Sequence, residues 1–354
     1  LGTVPWQVVL DQRTERAFVV TANRTANMVS MLDTATGALL RTVAVGGALW
    51  FQSTAMSSPL WSEQIAGADE RTQRVFIAVQ GQDGQGKVSV LDARSGAVLG
   101  TISLGPRLPG AVAIVVDDRA QRIFVSGQGV DGQGKLSVLD ARSGLLLRTI
   151  PLSIVPWSMT LDGQTWRIFA RSLQGDVVML DARTGALLRT VSLAATGGQV
   201  VANVRTARVF VSDTGRGTVS VLDAHSGRLL RTVVLPLGVG SATVDEETTH
   251  VFVTAPTRAS VTVLDGRSGA ILRTVAEGVH PSAVAVDGQT GTVLVSALGP
   301  LDSAGHVTSY GSVSVLDGRT FAVQRALPVG VAPLDMAVDG RTRHALCLLY
   351  TSPS

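Results

Sequence analysis

One unit recurs along this chain, and it constrains the fold more than any other property of the sequence. It runs as a short apolar stretch, Leu-Asp, a polar turn, then an Arg-Thr stretch, first as Met28-Val-Ser-Met-Leu-Asp33-Thr-Ala-Thr-Gly37-Ala-Leu-Leu-Arg41-Thr-Val43. Its Leu-Asp returns at Asp92, Asp140, Asp181, Asp223, Asp265 and Asp317, at successive intervals of 59, 48, 41, 42, 42 and 52 residues. A base period near forty belongs to propellers and solenoids, and it takes precedence over any local motif.

A second half-unit precedes each of these. In the seventh repeat it reads Pro281-Ser-Ala-Val-Ala-Val-Asp287, then Gly291-Thr-Val-Leu-Val-Ser296; in the first, Pro5-Trp-Gln-Val-Val-Leu-Asp11, then Arg16-Ala-Phe-Val-Val-Thr21. Each repeat thus holds four apolar runs of about five residues, bounded by Gly, Asp, Asn or Ser, which is the punctuation of strands. No run has the length or the 3.6-residue spacing of a helix. In turns such as Asp140 to Gly144 the Asp side chain can accept from N–H groups two residues on, and the Gly can take the left-handed conformation. The repeated carboxylates are therefore read as turn-formers and not as catalysts.

Four-stranded antiparallel sheets at this period, without helices, predict an all-β protein: a β-propeller with seven complete blades and a partial eighth unit, Pro333 to Leu349. A blade alone exposes two apolar faces and becomes stable by stacking on its neighbours. With aromatics at only 4%, the core between blades is expected to be aliphatic.

The pattern Val-Phe-Val, Val-Ser-Val-Leu-Asp, Gly, Arg-Thr-Val resembles the YVTN-type β-propeller repeat of bacterial and archaeal surface proteins, over nearly the whole chain. That resemblance implies a non-catalytic extracytoplasmic propeller, a ligand-binding or protein-interaction scaffold that is secreted, periplasmic or surface-anchored. It carries over no catalytic residue. The alternative is a lactonase-like propeller hydrolase or lyase with its site at the mouth of the central channel.

Residues 1–346 are read as one domain. The tail from Cys347 to Ser354 departs from the repeat and resembles read-through of a transposase sequencing adapter, so 347–354 is taken as non-native. The upstream signal region is expected to be missing. Cys347 is the only cysteine, which leaves no disulfide framework. The net charge of +3 is modest. Arg recurs at one blade position (Arg41, Arg148, Arg189, Arg231 and Arg273), which spreads charge around a rim. A nucleic-acid interface needs a clustered basic face, so no nucleic-acid partner is expected; nor is a membrane span, and the protein is read as a monomer.

Sites are sought where a copy departs from its siblings. The insertion Gly46 to Ser62 carries Trp50, Phe51, Met56 and Trp61, read as a loop packing its own aromatics, with capping of the central channel or grip on an apolar ligand by Trp50, Phe51 and Trp61 as the alternative. Gly81 to Lys87 and Gly129 to Lys135 match part of a phosphate-binding loop, but Val88 or Leu136 follows the Lys and no helix stands behind. A single carboxylate in each, Asp83 or Asp131, falls short of a calcium shell. Asp302, His306 and Tyr310 lie in a long loop of the seventh repeat. Counting back from the Asp that ends each first strand gives a ring at Gln7, Ile65, Ala113, Ser158, Gln199, Ser241, Ala283 and Asp335, with Trp6, Gln64 and Trp157 one step outward. Such a lining suits a small polar ligand or a water-filled channel. No metal ligand set and no cofactor is expected, a divalent ion in the central channel being the one alternative.

Overall fold

The computed structural model describes residues 4–22, 27–46, 65–80, 85–105, 113–129, 131–172, 174–193, 197–235, 238–303 and 307–349. In the first blade the strands Val4–Asp11, Arg16–Ala22, Asn27–Asp33 and Leu39–Ala44 pair antiparallel in chain order. Six further four-stranded sheets repeat that order, and a two-stranded sheet, Pro333–Asp339 with His344–Leu349, follows them. The inner strand of each sheet neighbours that of the next, and Pro333–Asp339 lies between Pro281–Asp287 and Val4–Asp11. The ring therefore closes on eight sheets, seven four-stranded and one two-stranded. Cys347, Leu348 and Leu349, where the sequence departs from the repeat, lie within the last strand; residues 350–354 lie outside the described residues.

Burial grades outward along each blade as the stacking argument requires. Second strands such as Arg208–Asp213 are buried almost throughout, whereas fourth strands such as Leu187–Ser192 are mostly exposed. Between each pair of neighbouring blades sits one apolar cluster, and the inter-blade core is not purely aliphatic as expected. Phe18, Phe76, Phe124, Phe169, Phe210 and Phe252, all at the third position of a second strand, are buried, each in a different cluster. Leu294 and Leu346 take that position in the last two sheets. Few aromatics are present, but most phenylalanines stand where one large side chain fills the gap between two twisted sheets.

The turns at one end of the ring are uniform. Asp33, Asp92, Asp140, Asp181, Asp223, Asp265 and Asp317 each accept from the N–H three residues on, at 2.7–2.9 Å. Gly37, Gly96, Gly144, Gly185, Gly227 and Gly269 then close the hairpin at φ between 65° and 71°. In the seventh blade Phe321 holds that left-handed position at φ 60°, its ring 5.0 Å from that of His250 and 6.3 Å from that of Phe252. Four of these Asp residues also pair with the Arg that opens the second strand, as Arg16–Asp33, Arg122–Asp140, Arg167–Asp181 and Arg208–Asp223 at 2.6–3.1 Å. Turn chemistry and ion pairing thus occupy these carboxylates.

The two ends of the ring differ in a way that matters for function. On the turn face, the second strand starts five residues after Asp11, Asp69, Asp117, Asp162, Asn203, Asp245, Asp287 and Asp339, and the fourth starts six residues after each Asp of the Leu-Asp series. On the opposite face no single length holds throughout. Connections from second to third strand range from Ser172–Asp176 to Ala297–Tyr310, and those between blades from Val331–Pro333 to Ala44–Ala66. Every insertion singled out in the sequence opens on this loop face.

Candidate functional site

The inner strands enter the ring from the loop face, four of them through the same device. In Pro5-Trp6-Gln7, Pro156-Trp157-Ser158, Pro281-Ser282-Ala283 and Pro333-Leu334-Asp335 the ladder to the second strand slips at the middle residue. A bulge of this kind re-aims the residues beside it, and here the residue that follows is the ring position. Proline suits the place, since the free edge of an inner strand needs no donor at its first residue.

The ring residues do more than line a channel. An inner strand pairs on one edge only, which leaves N–H groups on the other edge to be satisfied. Ala66 N–H donates to Gln7 Oε1 at 2.9 Å, Val200 N–H to Ser158 Oγ at 3.3 Å, Ala242 N–H to Gln199 Oε1 at 3.0 Å and Val8 N–H to Asp335 Oδ2 at 3.0 Å. Gln7 Nε2 returns a bond to Ala66 O at 3.3 Å. Each time the acceptor belongs to one blade and the donor lies one residue past the ring position of the next. Gln7, Ser158, Gln199 and Asp335 therefore form a partial belt that ties inner strand to inner strand at four of the eight junctions.

Over blades four to eight the same strands enclose a cavity of about 260 Å³. Its walls include Ser158, Gln199, Ser241, Ala283 and Asp335 of the predicted ring, with Thr243 and Ser282 added. The volume lies below the roughly 300–1,000 Å³ usual for drug-sized ligands. Asp335 is half-buried there. Burial pushes its carboxyl up to about 6, against hydrogen bonds from Val8 and Met336 N–H that favour the carboxylate. The cavity thus presents hydroxyls, an amide and one acid whose charge changes near neutral pH.

The other predicted residues are dispersed. Trp6 is half-buried and packs against the apolar cluster between blades one and two. Trp157 stands half-buried at the equivalent bulge. Gln64, Trp50, Phe51, Met56, Trp61, Asp83 and His306 lie outside the described residues. Asp131 pairs with Lys135 at 3.7 Å across its loop, and Tyr310 is exposed and is not part of the cavity wall. Among the described residues no group of three His, Cys, Asp or Glu is placed to hold a metal ion, and no helix is long and apolar enough to cross a membrane.

Two residues that the ring count passed over stand out. Asp118, on the turn face, has its carboxyl pushed up to about 7 by burial and by its neighbours Asp69, Glu70 and Asp117. Arg171 is the largest fully buried side chain. It occupies the fifth position of a second strand, where the neighbouring blades carry Ser126, Ser212, Thr254 and Ser296. Those hydroxyls accept from the N–H of their own ring residue, as Gln199 N–H to Ser212 Oγ at 2.7 Å. Aligning second strands, as the first strands were aligned, reveals the substitution.

A family model described as outer membrane protein assembly factor BamB matches residues 173–338. No curated protein matches the chain. Among solved structures, dihydro-heme d1 dehydrogenase NirN in complex with DHE is similar with a TM-score of 0.69 at 12% identity, over 92% of this chain and 67% of that one. BamB from Moraxella catarrhalis is similar with a TM-score of 0.56 at 18% identity, over 81% of this chain and 78% of that one. Likeness at this level of identity concerns architecture, and it agrees with the ring of antiparallel blades: the chain is a β-propeller.

Proposed function

We propose that this chain is an extracytoplasmic β-propeller scaffold that engages its partner on the loop face and holds a small polar molecule in the cavity below it. The observation that carries the reading is the contrast between the ends of the ring: uniform turns at one, connections of unequal length, some much extended, at the other. Binding residues concentrate on loops held by a rigid frame. The cavity opens among inner strands whose polar side chains include Ser241, Thr243, Ser282 and Asp335. The match to a model named for outer membrane protein assembly supports a role in protein interaction outside the cytoplasm. The non-catalytic reading draws on the carboxylates of the repeat, which are committed to turns and to Arg partners. The YVTN-type resemblance points the same way.

The test is native mass spectrometry of the protein after exposure to a mixture of small polar metabolites, beside a Ser241→Trp variant whose indole fills the cavity. A species retained by the parent and lost from the variant supports the reading. Retention of nothing, or equal retention by both, removes the cavity from the proposal.

A further inference from the structure

Arg171 is 0% exposed, and among the described residues its guanidinium makes one hydrogen bond, from Nη1 to Gly198 O at 3.2 Å. Nε and Nη2 are buried without an acceptor. Those two nitrogens lie on one edge of the planar group, and their N–H bonds run side by side. That edge is the one that grips both oxygens of a carboxylate, or two oxygens of a phosphate, at once. Lysine, a point charge, has no such edge.

Arg171 stands on the strand directly behind the cavity wall. Arg171 is paired in the ladder with Ser158, and its acceptor Gly198 directly precedes Gln199; Ser158 and Gln199 both line the cavity. Asp213 of the next blade supplies a negative charge nearby, but its Oδ1 accepts from Gly215 and Arg216 N–H at 3.0 and 3.1 Å. Burial draws the guanidinium down to about 10, against the opposing pull of Asp213. A buried cation with two free donors is destabilising unless an anion meets it. The repeat itself offers Ser at this position, in blades three, five and seven, so fold and register do not require arginine there.

We propose that the Nε–Nη2 edge of Arg171 is an oxyanion-recognition site, and that the cavity ligand carries a carboxylate or phosphate group directed at the Ser158–Gln199 wall. This rests on the cavity reading above and specifies the chemical class of its ligand.

The experiment is a thermal unfolding series in succinate and in inorganic phosphate, with sodium chloride at matched ionic strength as reference. It uses the parent protein, Arg171→Ser and Arg171→Lys. The parent midpoint is expected to rise saturably in one of the oxyanions, by about 2 °C at ten times its dissociation constant. Which of the two raises it identifies the group. In Arg171→Ser the midpoint without oxyanion should equal or exceed the parent's and the rise should vanish; in Arg171→Lys the rise should shrink at least several-fold. A midpoint for Arg171→Ser well below the parent's would make Arg171 a structural residue and overturn the proposal. So would equal shifts in all three proteins, or none in the parent. Retention of a metabolite that Ser241→Trp abolishes and Arg171→Ser leaves intact would sink this inference while the cavity reading stands; loss in neither variant would sink both.

Discussion

Asp335 makes the stability of the ring depend on pH in a direction opposite to that of an ordinary acid. Its carboxyl closes the belt by accepting from Val8 N–H, across the junction of the eighth sheet and the first blade. An aspartate in an unfolded chain titrates near 3.8, and this one near 6 because of its burial. The folded state therefore holds the proton more tightly than the unfolded one. Its contribution is fully present below about pH 4 and is lost as pH rises through about 6. A separation of about 2 pH units corresponds to at most about 3 kcal/mol, and contact with the cavity reduces that figure. Asp335→Asn keeps a carbonyl oxygen for Val8 N–H and removes the titration. The assay is urea unfolding of both proteins from pH 4 to pH 8. The difference in stability, variant minus parent, should rise by about 1–3 kcal/mol across that window. The subtraction cancels the turn carboxylates, which act in the reverse sense because their hydrogen bonds hold the charged form. A difference that stays flat, or rises toward acid, would refute the claim that burial governs this carboxyl.

Asp118 should behave alike on the turn face: its raised value near 7 means that Asp118→Asn lifts the urea midpoint at pH 8 and leaves it little changed at pH 5. Phe210→Ala empties the cluster between blades five and six and should cost about 3–5 kcal/mol of unfolding free energy; a loss under 1 kcal/mol in urea would mean that the interface collapses to fill the gap. Thr249 is β-branched and sits at φ 63°, so Thr249→Asn should stabilise by about 1 kcal/mol, read as a rise in thermal midpoint with unchanged circular dichroism.

The architecture was legible because its punctuation is local. An Asp that caps its own turn, a Gly at a left-handed position and a run of alternating burial are all written within fifteen residues of one another. The ring positions were legible for the same reason, since counting back from Asp162 or Asp245 finds Ser158 or Ser241 without knowledge of the neighbouring blade. What those side chains touch was not legible. The bond from Ala242 N–H to Gln199 spans 43 residues and depends on how two sheets are offset, which no spacing within either sheet encodes. The phenylalanine ring was hidden by averaging, because a low total says nothing of placement. Arg171 went unnoticed because departures were sought in loops and inner strands, whereas it lies mid-strand in a stretch that otherwise matches its siblings.

The belt has a polarity: at each of its four bonds one blade presents an acceptor forward and the next offers a donor backward, so the contact is head-to-tail. Contacts of that kind close into a ring when the rotation per unit divides the circle, and otherwise continue as an open spiral. A blade that carries both halves can be duplicated in the gene and slot beside its parent without any new recognition surface. Growth by copying is then limited only by the angle between sheets, and diversification falls to the connections on the loop face. The near-constant interval from Asp140 to Asp265, beside intervals stretched by insertions elsewhere, shows that a blade keeps its length while its connections take up the additions.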